Sequence, residues 1–135
     1  MKILSADYVL PISDEPIPEG AIAVDGGKIA AVGTRDEMVL TYPEANHENF
    51  GEAAILPGFV NCHSHLEITA MRGALDAVEH DFKSWLLKLN SLRAAMTDED
   101  IVDAAYQGAL EGAAAGVTCF GDIGRLGHAG VAALK

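Results

Sequence analysis

The stretch that most constrains this chain runs Ala54-Ile55-Leu56-Pro57-Gly58-Phe59-Val60-Asn61-Cys62-His63-Ser64-His65-Leu66-Glu67. An apolar run enters Pro-Gly, a second short apolar run follows, and two histidines close it one residue apart. Side chains two apart in an extended segment share a face, so His63 and His65 are expected to point the same way. Imidazole is the commonest metal ligand in proteins, and a borderline cation such as zinc accepts a pair of them. The competing reading is two hydrogen-bonded structural histidines at a strand end. Two histidines do not complete a zinc site, which takes three or four protein ligands. The mostly apolar residues before the pair predict a strand buried on both faces, as in a parallel sheet.

With 135 residues the chain has enough material for one ordinary domain with a real core. Half of it is hydrophobic and 21% is charged, which reads as soluble and globular. Nine basic against twenty acidic residues give a formal net charge of -11. That argues against nucleic acid as a partner, because phosphate binding needs a basic footprint. No apolar run approaches the length that spans a bilayer, and Met1 to Asp7 lack the apolar core of a signal peptide, so no membrane partner and a cytoplasmic location are expected. Cys62 and Cys119 do not make a disulfide framework and read as small buried hydrophobes. A nucleophilic Cys62 is the sharper alternative, but spacing brings no base to it.

The first fifty-odd residues predict a small antiparallel β unit without a catalytic constellation. Lys2 to Leu10 reads as a strand, Pro11 to Gly20 as a loop, and Ala21 to Val24 as a second strand. Asp25-Gly26-Gly27-Lys28 is a hairpin turn signal, and Lys28 to Gly33 returns as the third strand. Arg35 to Leu40 predicts a short helix stopped by Pro43. Residues 44–52 read as a polar connection, with His47 a surface histidine.

After Glu67 the chain loosens over residues 68–81, a loop expectation that includes His80 as a solvated residue. Phe82, Trp85, Leu86, Leu89, Leu92 and Met96 repeat at three- and four-residue spacing and predict an amphipathic helix whose stripe is core. Thr97 and Asp100 form a variant capping box for the next helix, which Gly116 closes. Ile101, Ala105, Gly108 and Gly112 make a stripe of small residues suited to close packing. Val117 to Asp122 reads as a strand, with Asp122 at its end in a structural role or one that supports a metal ligand from behind. Residues 125–135 predict a loop and the start of another helix, where His128 has no partners.

Leu56-Pro57-Gly58-Phe59-Val60-Asn61-Cys62-His63-Ser64-His65 resembles the first barrel strand of the metal-dependent amidohydrolase superfamily. The continuation through Leu66-Glu67, Met71-Arg72-Gly73, Phe82 and Trp85-Leu86 resembles its deaminase and chlorohydrolase branch, most of all the aminodeoxyfutalosine and adenosine-type deaminases. The resemblance implies an α/β fold: residues 1–56 as the N-terminal part of a β-sandwich, and residues 57–135 as the first βα units of a (β/α)8 TIM-like barrel. Such a barrel keeps its chemistry at the C-terminal ends of its strands and needs about 250 residues, so this chain is expected to be the front piece of a longer protein or the product of an interrupted reading frame.

Only His63 and His65 carry over as metal ligands, for zinc first and iron second. The remaining ligands and the acid-base residues lie on later strands, so no catalytic residue falls within this chain, which alone is expected to be inactive. Glu67, Arg72 and Trp85 are candidate substrate contacts, each set against a solvated, ion-paired or core role. The implied reaction uses metal-activated water on a carbon–nitrogen bond other than a peptide bond, most plausibly deaminating a purine, pyrimidine or triazine-like small-molecule ring. The alternatives are a chlorohydrolase, a cyclic-amide hydrolase, or an incomplete fragment that only binds metal or a partner chain. Members of the family are often dimers or larger, so a homo-oligomer is a further expectation of the resemblance.

Overall fold

The computed structural model describes residues 1–124 and 127–134. The chain divides into two compact units, Met1–Pro57 and Gly58–Lys135.

The first unit holds two small sheets. One has the order β5-β4-β1-β6, built from β1 (Lys2–Ser5), β4 (Gly20–Asp25), β5 (Lys28–Thr34) and β6 (Asn46–Asn49). The other has the order β3-β2-β7, built from β2 (Tyr8–Val9), β3 (Ile17–Pro18) and β7 (Ala54–Ile55). The β4–β5 hairpin turns at Gly26 and Gly27, whose φ values of 55° and 77° are the left-handed conformation such a turn demands. Between β5 and β6 lies α1 (Arg35–Thr41), started by a capping box in which Thr34 and Glu37 satisfy each other's backbone N–H. Its Met38 is buried with Ile3, Ala21 and Ala23, forming the core of this unit.

Two expectations for this unit change. The strand expected over residues 2–10 breaks at Ala6-Asp7, giving β1 and β2 in different sheets. The unit is mixed rather than antiparallel, because β1 pairs with β6 and β2 with β7 in parallel. Strand β6 reads Asn-His-Glu-Asn and is exposed throughout. Nothing in its side chains announces a strand; backbone pairing alone makes it one, and its polarity suits a sheet edge. His47 is at the surface as expected, where its Nε2 lies 2.8 Å from Ser5 Oγ.

In the second unit, β8 (Phe59–Ser64) and β9 (Val117–Asp122) pair in parallel. Between them come two 3-10 turns, Leu66–Met71 and Asp76–Val78, then α2 (Phe82–Ala94) and α3 (Asp98–Ala114). The segment expected as a loop thus has regular turns, and α4 (Gly127–Ala133) follows β9. Leu66, Ile101, Ala105, Ala109 and Ala129 make one buried cluster, and Met71, Leu75 and Leu89 another, with Trp85, Leu92 and Met96 packed on it. The stripe on α2 is narrower than its spacing suggests: Phe82 is 73% exposed and Leu86 is also exposed. Strand β8 is not buried on both faces either. Phe59 and Val60 are exposed, as are Cys62 and Cys119, because β9 is the one strand beside β8 among the described residues.

The small stripe on α3 has a packing reason. A Cβ at Gly108 would stand 2.9 Å from the Leu66 carbonyl oxygen, and one at Gly112 would stand 2.5 Å from the Phe120 ring. Alanine ordinarily stabilises a helix interior by about 1 kcal/mol over glycine, whereas overpacking costs about 1–3 kcal/mol. The Leu66 carbonyl belongs to backbone and yields little, so Gly108→Ala is expected to lower the urea midpoint rather than raise it.

Both long helices are capped as local chemistry dictates. Asp81 accepts the N–H groups of Lys83 and Ser84 at the start of α2, and Thr97 with Asp100 forms the capping box of α3. The Thr97 backbone N–H, and then its hydroxyl, hold the exposed Asp100 carboxyl below its ordinary value of 3.8. A depressed carboxylate stabilises the fold fully above that ordinary value and loses the contribution as pH falls through the folded-state value. The drop in urea midpoint between about pH 6 and about pH 3 should therefore be smaller in Asp100→Asn than in the natural chain.

Candidate metal centre

The site forms where β8 ends. Asn61 pairs with Phe120 and Ser64 with Asp122, three steps along β8 against two along β9. The extra residue is a β-bulge at Cys62-His63, a feature that re-aims side chains beside functional sites. Simple alternation, which set Cys62 opposite His63, does not hold across a bulge. The Asn61 side chain braces it, its Oδ1 accepting the His63 N–H at 3.2 Å.

His63 is exposed and His65 half-buried, and their rings meet edge to face with centroids 5.4 Å apart. Zinc–nitrogen bonds of about 2.0–2.1 Å put each ring centre about 3.2 Å from an ion, so a tetrahedral angle separates the centres by about 5.2 Å. The observed separation leaves room for two imidazoles to share one cation, and it is also that of an ordinary edge-to-face ring pair. His65 Nδ1 is buried without a hydrogen-bond partner among the described residues. An imidazole with an unengaged nitrogen is free to serve as a ligand. Among the described residues no group of three or more His, Cys, Asp or Glu converges on one point. The pair therefore fits a divalent cation in kind and spacing, and supplies two of the ligands it needs.

The 3-10 turn after His65 is fixed from two sides. Glu67 is only 3% exposed, and its Oε1 meets Arg93 Nη2 of α2 at 2.5 Å. Asp122 Oδ1 accepts the Leu66 N–H at 2.9 Å and the Ser64 hydroxyl at 3.3 Å. Asp122 thus holds the turn in place. Arg72 sits at the surface with Glu111 at 2.5 Å, a pairing that raises the guanidinium pKa and lowers that of the carboxyl, each chiefly through the shared hydrogen bond. Trp85 packs half-buried under Phe82, the rings stacked with centroids 6.0 Å apart. His128 is exposed on α4, and His80 is exposed after the second turn. The structure thus brings His63 and His65 together, and it gives Glu67 and Arg72 their own ionic partners.

Sequence reasoning passed over Arg93 and the brace role of Asn61. Arg93 left a signal: it falls four residues after Leu89, on the buried stripe of α2. A charge on an apolar helical stripe points to a buried partner.

Residues 54–135, well over half of the chain, match the Amidohydrolase family. The chain belongs to the amidohydrolase family. Residues 20–45 match a bacterial imidazolonepropionase-like composite domain. A 5-methylthioadenosine/S-adenosylhomocysteine deaminase of Nitratidesulfovibrio vulgaris is 35% identical over 108 residues, covering 79% of this chain and 24% of that protein. Among solved structures, a zinc-bound adenosine deaminase from Xanthomonas campestris superposes with a TM-score of 0.72 at 23% identity, over 97% of this chain and 30% of that one. An atrazine chlorohydrolase from Arthrobacter aurescens complexed with zinc reaches a TM-score of 0.76 at 22% identity, over 98% of this chain and 33% of that one. At these identities the structural likenesses speak to the fold, which is mixed α/β. The chain spans about a quarter of the length of the curated amidohydrolase relatives it matches. Among its described residues no helix is long and apolar enough to cross a membrane.

Proposed function

We propose that this chain is the metal-binding front part of an amidohydrolase that hydrolyses a carbon–nitrogen bond other than a peptide bond, and that the reaction is deamination of a purine-like ring. The observation that carries the reading is the pair His63 and His65 at the end of β8, with rings 5.4 Å apart. Its placement on residues matched to the family supports it, as does the deaminase relative 35% identical over 108 residues. Residues 1–56 we read as part of a β-sandwich and residues 57–135 as the opening βα units of a barrel, completed by chain beyond this stretch.

His63 and His65 would hold a divalent cation, zinc by preference, through their imidazole nitrogens. A cation there supplies Lewis acidity, which brings the pKa of water toward neutrality. The Asn61 and Asp122 contacts set the backbone that presents the two rings. Glu67 and Arg72 are engaged by Arg93 and Glu111, so we assign both to holding the scaffold. Trp85, stacked on Phe82 and packed against the cluster of Met71, Leu75 and Leu89, we assign to the core as well. With two ligands in place, the 135-residue chain by itself turns nothing over.

The test is to purify the protein as its own cells make it, measure zinc per chain, and screen ammonia release. Adenosine, 5-methylthioadenosine and S-adenosylhomocysteine are one arm, and a chlorinated triazine is the other. Zinc near one per chain with ammonia from a nucleoside supports the reading. Halide release without ammonia would move the assignment to a chlorohydrolase, and a metal-free inert protein would remove it.

A further inference from the structure

Among the described residues Asp122 makes no hydrogen bond to either histidine ring, yet it grips the chain on both sides of one. Its Oδ1 accepts the Ser64 hydroxyl and the Leu66 backbone N–H, so His65 hangs between two fixed residues. Ser64 and Asp122 are also direct partners across the β8–β9 ladder, which brings the carboxylate to that spot from the far end of the fold. The other oxygen is seated where side chains are missing. A Cβ on Gly130 of α4 would collide with Asp122 Oδ2, and one on Gly124 would meet Glu67 Oε2 at 2.6 Å and Asp122 Oδ2 at 3.1 Å. Glycines thus leave room that the two carboxylates share.

We propose that Asp122 is a positioning residue that presets His65 for metal binding, so that the ring is held in ligand geometry before any cation arrives. The inference rests on the reading of His63 and His65 as metal ligands. His65 follows directly after the last residue of β8, in a conformation outside the extended and helical norms (φ -131°, ψ 77°). A residue at a strand end has no ladder of its own to fix it. The two hydrogen bonds to Asp122 supply that constraint, and the Glu67–Arg93 pair pins the next turn. What matters in this arrangement is an acceptor at Oδ1 rather than the negative charge, and that separates this role from ligation.

The experiment uses the protein as its own cells make it, in the natural form and as Asp122→Ala and Asp122→Asn. Zinc affinity is read by competition with a chelator, and coordination geometry by the visible absorption of the cobalt-substituted protein. Loss of a partner that orients a ligand typically weakens metal binding about 10–100-fold, which is the expectation for Asp122→Ala together with an altered cobalt spectrum. The amide oxygen of Asp122→Asn still accepts both hydrogen bonds, so its affinity should stay within about threefold and its spectrum unchanged. Natural affinity in Asp122→Ala overturns the proposal, as does equal weakening by alanine and asparagine. If Asp122→Ala does not fold, Ser64→Ala decides, since it removes one hydrogen bond and leaves the carboxylate in place. Severalfold weaker zinc binding in that variant supports the brace, and natural affinity overturns it. A natural protein that holds no zinc overturns the metal-centre reading and this inference together, whereas failure of the variants alone leaves the metal centre standing.

Discussion

Alanine in place of His63 or His65 is expected to cut zinc retention by the protein as its cells make it at least a hundredfold, and to abolish ammonia release with it. Each variant removes a direct ligand, so its effect should exceed the roughly 10–100-fold seen when only an orienting partner is lost. Both rings stand at one point, 5.4 Å apart, so the two single variants should resemble each other and the double variant should add little. His47→Ala is the control, because that ring lies at the surface in the other unit beside Ser5 and should affect neither readout. Retained zinc and turnover in His63→Ala would show that the pair is structural. Metal analysis after gel filtration, run beside the ammonia assay, separates these outcomes.

Arg93→Ala should lower stability by about 3–5 kcal/mol, among the largest single losses in the chain. The reason is what stays behind. Glu67 is 3% exposed and Arg93 11% exposed at its side chain, so removing the guanidinium leaves a buried carboxylate without its counterion. Urea unfolding measures the loss. The double variant Glu67→Gln with Arg93→Met should recover much of it, since taking away both charges removes the uncompensated one. A double-mutant cycle with near-zero coupling would mean that water or another group already serves Glu67.

How much of this was legible beforehand depends on distance along the chain. The capping box at Thr97 involves a partner three residues away, and spacing alone exposes it; the box at Thr34 has the same spacing and was passed over. The His63 and His65 pair was legible for the same reason. Burial was not: Cys62, Cys119, Phe59 and Val60 have apolar chemistry but lie exposed, because burial depends on what else reaches those faces. Strand β6 was invisible because its polar residues earn their place through backbone pairing with β1. The bulge at Cys62-His63 was invisible too, since a period of two assumes an unbroken ladder. The partnership of Glu67 with Arg93 spans 26 positions, and no local pattern encodes the pairing.

The hydrogen bonds of Asp122 reach back 56 and 58 positions, to Leu66 and Ser64. Their span dictates an order of events during synthesis. The helices α2 and α3 can form as they emerge, since their backbone hydrogen bonds are local and their caps self-contained. The end of β8 cannot settle until β9 has been made, and closing a loop of that length is entropically slower than winding a helix. At about 5–20 residues per second, several seconds separate translation of His65 from translation of Asp122. Throughout that interval the nascent chain carries two loosely held imidazoles, with only weak affinity for any ion it meets. If His63 and His65 are ligands as proposed, metal capture becomes a late step of folding, after β9 has been made.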